Sequence, residues 1–463
     1  MYLADTTGAD TYRLIVTRRN ASEILLLTRG PASGLPIVEI AQGQRIAEQL
    51  TAELYAHWGC RAYCLFLPNR APGLPYCGVM EATDLEQISP AGTCWKPLDV
   101  ATCAAVDPAE DRTVLEKSIK EWAEYRREPS QALFTKPGWL SELLAWAQEQ
   151  LSPLGARLTG SFAQLNASPR FSLIRLETND SAVWFKATGP PNRHELPLTV
   201  CIARLFPGYV PELLGVHAAW NGWLTREVPG RTLDHHGTEL ACWSTAAGDL
   251  ARLEILSMGK QPELLGSGCM DLRLPRLIEE VDPLMDRMRG LMAAQQKQTP
   301  ARLTDSELNS LRDCLKQACS LLSELSLPDT LGHLDFNPGN IIVSLEGSVF
   351  LDWAEACLTN PLVTLEYLCE HFRRNCTDDR GATGKLIAAY MERWEPLVSL
   401  DGLKPASLLS PLVAAFAYTV AAGSRHPFGT AESGFAAGYL RSLGRRMFRE
   451  AEKIMARSER CPA

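Results

Sequence analysis

Residues Gly332–Val343 read GHLDFNPGNIIV, and Val349–Trp353 follow as VFLDW. Asp335, Asn340 and Asp352 place three oxygen-bearing side chains in this short stretch. Asp335 and Asn340 flank Pro338-Gly339, a turn-forming pair, so the chain can double back and bring them to one place. Val349–Leu351 is a short apolar run of buried-strand character, and Asp352 stands at its mouth, where a polar residue borders a cleft. Phosphoryl transfer needs such a set. Magnesium takes oxygen ligands in octahedral geometry and shares them with substrate phosphates. A separate carboxylate must accept the proton of the attacking hydroxyl. The rest of the catalysis is positioning and charge neutralisation.

Outward from this loop, the chain alternates between β-rich and helical sections. Tyr12–Arg19 and Ser22–Arg29 alternate apolar and polar residues around a short Asn-containing turn, a hairpin signal. Ile46, Leu50, Leu54 and Trp58 fall on one stripe of a helix that stops at Gly59. A charged helix runs from Asp107 to Arg127. A proline- and glycine-containing break then marks a linker around residues 128–138. Trp139–Gln150 is helical. Arg170–Thr178 and Ala182–Thr188 form a second hairpin around Asn179-Asp180, and a helix containing ELPLTVCIARLF follows. From Thr238 the chain is mainly helical, and Thr304 and Glu307 stand at capping-box spacing. The expected division is 1–130, 131–232 and 233–463.

The pattern H-x-D-x-x-x-x-N, followed by two apolar residues and Asp-Trp, resembles the aminoglycoside phosphotransferase and choline kinase group, relatives of the protein kinases. The resemblance implies an α+β, two-lobed protein-kinase-like fold with a β-rich N-lobe at 131–232 and a helical C-lobe at 233–463. It implies ATP and magnesium as cofactors, Asp335 as catalytic base, Asn340 and Asp352 as magnesium ligands, and His333 as a structural brace. It places the phosphate-binding lysine at Lys186, about 150 residues before the catalytic loop, with Glu195 as its partner. The backbone of Arg226, Glu227 and Val228, in WLTREVPG, would hold adenine. The nucleotide loop falls in LTGSFAQLNASPRF, which has Gly160 but no G-x-G-x-x-G. Leu334 replaces a glycine frequent in the group, and Thr359, Asn360 and Thr364 stand where many relatives have G-D-P and a later aspartate. An aminoglycoside acceptor therefore does not follow. Glu355, Glu366, Glu370 and His371 recur near helical spacing after Asp352. They read either as an acidic rim for a cationic or hydroxyl-rich acceptor or, preferably, as a solvated helix face.

The first 130 residues resemble a Nudix domain: two early strands, a central helix ending in glycine, and WKPLD before a last helix. Aligned on ELYAHWGC, the hydrolytic box keeps only Glu53 and Gly59, with Ala52, Ala56 and His57 at its other key places. One carboxylate is a poor magnesium site, so the resemblance implies a module that has lost hydrolysis and recognises a ligand or packs on the kinase part.

The 463 residues carry a net charge of −8. That balance lacks the basic footprint of a nucleic-acid-binding protein. The 14 cysteines form no C-x-x-C pair, and MYLADTTGADTYRL lacks the apolar run of a signal peptide. Leu408–Gly423 is too short for a membrane span and contains Pro411. These features lead us to expect a cytoplasmic protein with no membrane or nucleic-acid partner, and they leave the oligomeric state open. The expected function is phosphotransfer from ATP to a hydroxyl or amino group of a small molecule. The alternative is a non-catalytic nucleotide-binding protein on the same scaffold, with the Nudix-like part as sensor.

Overall fold

The first two apolar runs pair as expected: β1 (Ala9–Arg18) and β2 (Glu23–Arg29) are antiparallel, with Thr17 opposite Ile24. Arg19, Asn20 and Ala21 make the turn in left-handed conformations (φ 53, 57 and 61°). The structure, a computed structural model, describes residues 8–29, 32–70, 72–83, 89, 91–127, 133–168, 171–375, 380–398, 400–425 and 434–458. It divides into two compact units. The first is Met1–Leu196 with Glu212–Glu227, and the second is Pro197–Pro211 with Val228–Ala463.

In the first unit, β3 (Ala32–Gly34), β4 (Ile37–Ala41), α1 (Ile46–Trp58), β5 (Ala62–Phe66), β6 (Tyr76–Ala82) and β7 (Thr93–Pro97) complete a seven-stranded sheet and its central helix. The strand order is β3-β2-β1-β6-β5, with β4 on β1, β7 on β2, and β1 parallel to β6. Helix α1 buries Ala47, Leu50 and Leu54 and leaves Ile46 37% exposed, so its apolar stripe begins one residue later than the sequence suggests. Gly59 ends it in the left-handed region, its N–H donating to Tyr55 O, as a C-terminal glycine should. Helices α2 (Val100–Ala104) and α3 (Ala109–Tyr125) follow, then α4 (Trp139–Leu151).

A second sheet of five antiparallel strands comprises β8 (Leu158–Ser168), β9 (Phe171–Thr178), β10 (Val183–Thr188), β11 (Leu213–His217) and β12 (Gly222–Arg226), in the order β11-β12-β10-β9-β8. The expected nucleotide-loop segment is mostly strand β8, with a register shift between Leu158 and Phe162 around left-handed Gly160. The segments read as 1–130 and as the start of 131–232 share this unit and one apolar core. Ile15, Leu65, Trp122, Trp139, Phe185 and Leu224 all belong to that core. Gln164 of β8 accepts from Cys64 N–H (2.7 Å) and donates to Cys64 O (2.9 Å), adding its side chain to the β5 backbone. Glu81 accepts from Tyr63 OH and from Gly138 N–H, and burial pushes its carboxyl up.

Helix α5 (Glu195–Leu205) begins in the first unit and continues in the second. There follow β13 (Arg231–Thr232), α6 (Leu240–Ser257), α7 (Gln261–Gly266), β14 (Met270–Asp271), α8 (Leu274–Ala293) and α9 (Asp305–Glu324), whose Thr304–Glu307 capping box is formed. The site-bearing stretch is β15 (Thr330–His333), β16 (Ile341–Ser344), β17 (Gly347–Phe350) and β18 (Ala356–Thr359). Helices α10 (Leu362–Asn375), α11 (Arg380–Trp394), α12 (Leu400–Arg425) and α13 (Gly434–Ser458) complete the unit. A 19-residue window of α12, Ala406–Ser424, is long and apolar enough to cross a membrane by length and composition, and 72% of it is buried inside the protein. The apolar stretch is thus longer than the sequence reading allowed, because the helix runs through Pro411; Leu412, Val413, Phe416 and Ala417 lie in the core. The described cysteines are free thiols.

Candidate functional site

The site grows from the end of β15. An added Cβ at Gly332 would lie 2.6 Å from Thr359 Cγ2 and 2.9 Å from Thr364 Oγ1, so only glycine lets the strand pass. The next residue, His333, is buried, and its N–H donates to Thr364 Oγ1 at 3.1 Å. Asp335 N–H donates to His333 Nδ1 (3.1 Å), which makes Nδ1 the acceptor of the ring. The ring proton is thereby assigned to Nε2, which donates to Leu351 O at 2.9 Å. One imidazole thus ties the Asp335 backbone to the residue before Asp352, and the expected bracing role of His333 has its physical content here. Leu334 and Phe336 are both 1% exposed, and their anchoring leaves Asp335 as the partly exposed residue between them.

The loop closes on Asp335 through two amides. Asn337 Nδ2 donates to Asp335 Oδ1 (2.9 Å), and Asn340 Nδ2 donates to Oδ2 (3.2 Å) and to the backbone carbonyl (3.0 Å). Each carboxylate oxygen keeps a further lone pair, so the group can still accept a proton in a fixed plane. With its Nδ2 committed to Asp335, Asn340 offers its amide oxygen to a cation.

The β16–β17 hairpin supplies the third group. Ile341 pairs with Phe350, and Leu351 N–H donates to Asn340 O at 2.8 Å, so Asn340 and Asp352 emerge at the same end of the hairpin. Asp352 adopts φ 61°, ψ 65°, a left-handed conformation that an aspartate tolerates at a cost of about 1 kcal/mol. Strain held at a polar residue is a recurrent mark of a functional position. Asn340 and Asp352 are hard oxygen donors of the kind magnesium takes.

Lys186 lies on β10 opposite Leu173 and Trp223. Its Nζ is 2.5 Å from Glu195 Oε1, and the two side chains are 14% and 2% exposed. The pairing of Lys186 with Glu195, expected from the resemblance, is present. Arg226 N–H donates to Glu212 O and Glu227 N–H to Ala182 O, each at 3.0 Å. The Glu227 carboxylate takes two bonds from Arg175 (2.7 and 2.9 Å), and Arg175 holds it below the usual carboxylate range.

The expected acidic helix face is different from both readings made of it. Glu366 is buried and bonded to Arg373, with burial raising its carboxyl. Glu370 joins Arg374 and Arg446. Burial, with Arg374 adding to it, holds His371 below its ordinary range, while the Glu370 and Asp335 charges act the other way. Three arginines therefore offset this face, and Glu366 is not solvated. One positioning group escaped the sequence reading, Asn337, whose only signal was an amide before proline; Thr364, noted there as standing where relatives carry a later aspartate, accepts from a backbone group 31 residues away, a bond the sequence did not show.

Residues 198–403 match the phosphotransferase enzyme family (APH). The match covers less than half of the chain, and it includes Asp335, Asn340, Asp352 and Thr364 but begins after Lys186 and Glu195. The chain therefore carries a phosphotransferase domain. No curated protein sequence matches it. Among solved structures, it is similar to an ethanolamine kinase of Plasmodium vivax at 14% identity, covering 76% of this chain and 99% of that one, with a TM-score of 0.48. A choline kinase of Cryptosporidium parvum aligns at 8% identity over 69% of this chain and 97% of that one, with a TM-score of 0.49. A macrolide 2'-phosphotransferase of Brachybacterium faecium aligns at 14% over 65% and 97%, with a TM-score of 0.44.

Proposed function

We propose that the protein is a kinase that transfers the terminal phosphoryl group of ATP to a hydroxyl or amino group of a small molecule. The observation that carries this reading is the loop in which His333 fixes Asp335 and Leu351 together while Asn340 braces the Asp335 carboxylate. Asp335 accepts the proton of the acceptor as its oxygen or nitrogen attacks phosphorus. Asn340 Oδ1 and the Asp352 carboxylate hold magnesium, which when bound neutralises phosphate charge. Lys186, oriented by Glu195, binds nucleotide phosphate. The adenine is met by backbone of the Arg226–Val228 stretch. Because the N–H groups of Arg226 and Glu227 are already engaged, the Val228 N–H is the donor this reading assigns to the base.

The acceptor reading follows the arginines. A face in which Glu366 and Glu370 are each bonded to arginine is not a bare acidic rim, so a purely cationic acceptor loses its main support. The N-terminal seven-stranded part is read as a ligand-recognising module of Nudix-like pattern without hydrolysis, since Glu53 is the one box carboxylate and it pairs with His57. Cytoplasmic ATP and reduced thiols suit this chemistry. The test is ADP release from ATP and magnesium across a panel of choline, ethanolamine, amino alcohols, sugars, aminoglycosides and macrolides. An acceptor that raises ADP release and becomes phosphorylated supports the reading. Magnesium-dependent ATP binding with no acceptor phosphorylated across the panel favours the non-catalytic alternative.

A further inference from the structure

Apart from this site, three different ligand types converge at the start of α6. His236 closes the short turn Leu233–His236, Glu239 is the residue before the helix, and Cys242 lies in its first turn, a H-x-x-E-x-x-C spacing. Their donor atoms all lie within 4.8 Å of one another. His236 Nδ1 is 3.4 Å from Glu239 Oε2 and 3.4 Å from Cys242 Sγ. Zinc bonds of about 2.0–2.1 Å to nitrogen or oxygen and about 2.3 Å to sulfur, at the tetrahedral angle, give N···O and N···S edges of about 3.3 and 3.6 Å. The two observed separations match those edges.

The scaffold is already rigid. Glu239 N–H donates to His236 O (3.0 Å), Cys242 N–H donates to Glu239 O (3.1 Å), and the fully buried Trp243 pins the turn by donating to Gly237 O (2.9 Å). A divalent cation at the centre satisfies all three donors together. The 61% exposure of the Glu239 side chain leaves a fourth position open to water.

We propose that His236, Glu239 and Cys242 bind one zinc-class divalent cation, with water completing the shell. The soft thiolate separates this site chemically from the oxygen-only pair Asn340 and Asp352. It also has a mechanical consequence. Thr232 Oγ1 donates to Asp234 Oδ1 (2.6 Å), and Asp234 Oδ2 lies 3.6 Å from where a Cβ of Gly339 would be. A cation on His236 thus stiffens the turn that abuts Pro338–Asn340. The inference is independent of the transfer reaction.

The test is cobalt(II) titration of the metal-free full-length protein in excess magnesium, followed by the thiolate-to-cobalt charge-transfer band. One equivalent is expected, with the band absent in Cys242→Ser. Glu239→Gln changes an exposed side chain, so its thermal midpoint should be unchanged while cobalt binding weakens by about tenfold or more. No band, a band equally strong in Cys242→Ser, or unweakened binding in a folded Glu239→Gln protein each overturns the proposal. Should Cys242→Ser fail to fold, the Glu239→Gln result decides alone.

Discussion

Thr364→Val replaces a buried hydroxyl by a methyl of nearly equal volume. The side chain is 0% exposed and accepts from the N–H of His333, itself 1% exposed, at 3.1 Å. The valine leaves that buried donor without its acceptor, which costs about 1–3 kcal/mol. The loss is transmitted, because the same histidine accepts from Asp335 N–H and donates to Leu351 O. Displacing a positioned catalytic group by about 1 Å costs on the order of a hundredfold in rate, so a smaller shift should lower kcat by about ten- to a hundredfold. The assay pairs urea unfolding, followed by fluorescence, with acceptor-dependent ADP release. We expect a lower unfolding midpoint, reduced kcat, and a KM for ATP changed by no more than about twofold, since Thr364 makes no nucleotide contact in the proposed scheme. Thr364→Ser, which keeps the acceptor oxygen, should recover most of both losses. Wild-type stability and kcat in Thr364→Val, or a serine variant as impaired as the valine, would refute the bracing account.

Asp352→Gly should be about 1 kcal/mol more stable than Asp352→Ala, because both lose the side chain and only glycine is at ease at φ 61°; differential scanning calorimetry reads the order, and both should be inactive. Lys186→Met should destabilise by about 3 kcal/mol, since it removes the ammonium beside a carboxylate only 2% exposed, and adding Glu195→Gln should restore most of that in a double-mutant cycle of urea unfolding. Glu254 is buried, bonded by Tyr390 OH, and raised well above the ordinary glutamate range by burial. Its folded form keeps a proton that the unfolded chain releases, so stability falls as pH rises above the ordinary value, by about 1.4 kcal/mol per unit until the folded group ionises. Urea unfolding between pH 5 and about 8 should show this slope in the wild type relative to Glu254→Met; a flat difference would contradict it.

The legibility of the site followed the range of its interactions. Asp335, Asn340 and Asp352 could be read because a proline-glycine turn and one hairpin bring them together locally. The bond from His333 N–H to Thr364 could not, since the resemblance marked the position of Thr364 but nothing in the sequence couples it to a strand 31 residues earlier. Glu370 was misread in part for the same reason, since Arg446 belongs to a helix 76 residues beyond it, whereas Arg373 and Arg374 lie on the same helix as Glu366 and Glu370 and only the burial of Glu366 is tertiary. Strand β8 was taken for a loop because Gly160 and its polar residues dilute the alternation, whereas its pairing with β9 and the Gln164 bonds to Cys64 are tertiary. The linker expected at 128–138 lies partly outside the described residues, and its far side, Phe134 and Trp139, joins the core of the first unit. Only long-range packing of residues such as Ile15 and Phe185 reveals that common core.

The most direct measurement is made on Asp335→Asn. The variant keeps the side chain's size, gives up one of the two oxygens that accept from Asn337 and Asn340, and removes the proton acceptor. Acceptor-dependent ADP release should fall by about 10²- to 10⁴-fold, the range for losing a general base, while ATP affinity in magnesium, measured by calorimetry, stays within about twofold. Turnover at the wild-type level in that variant would contradict the assignment of Asp335 as the base.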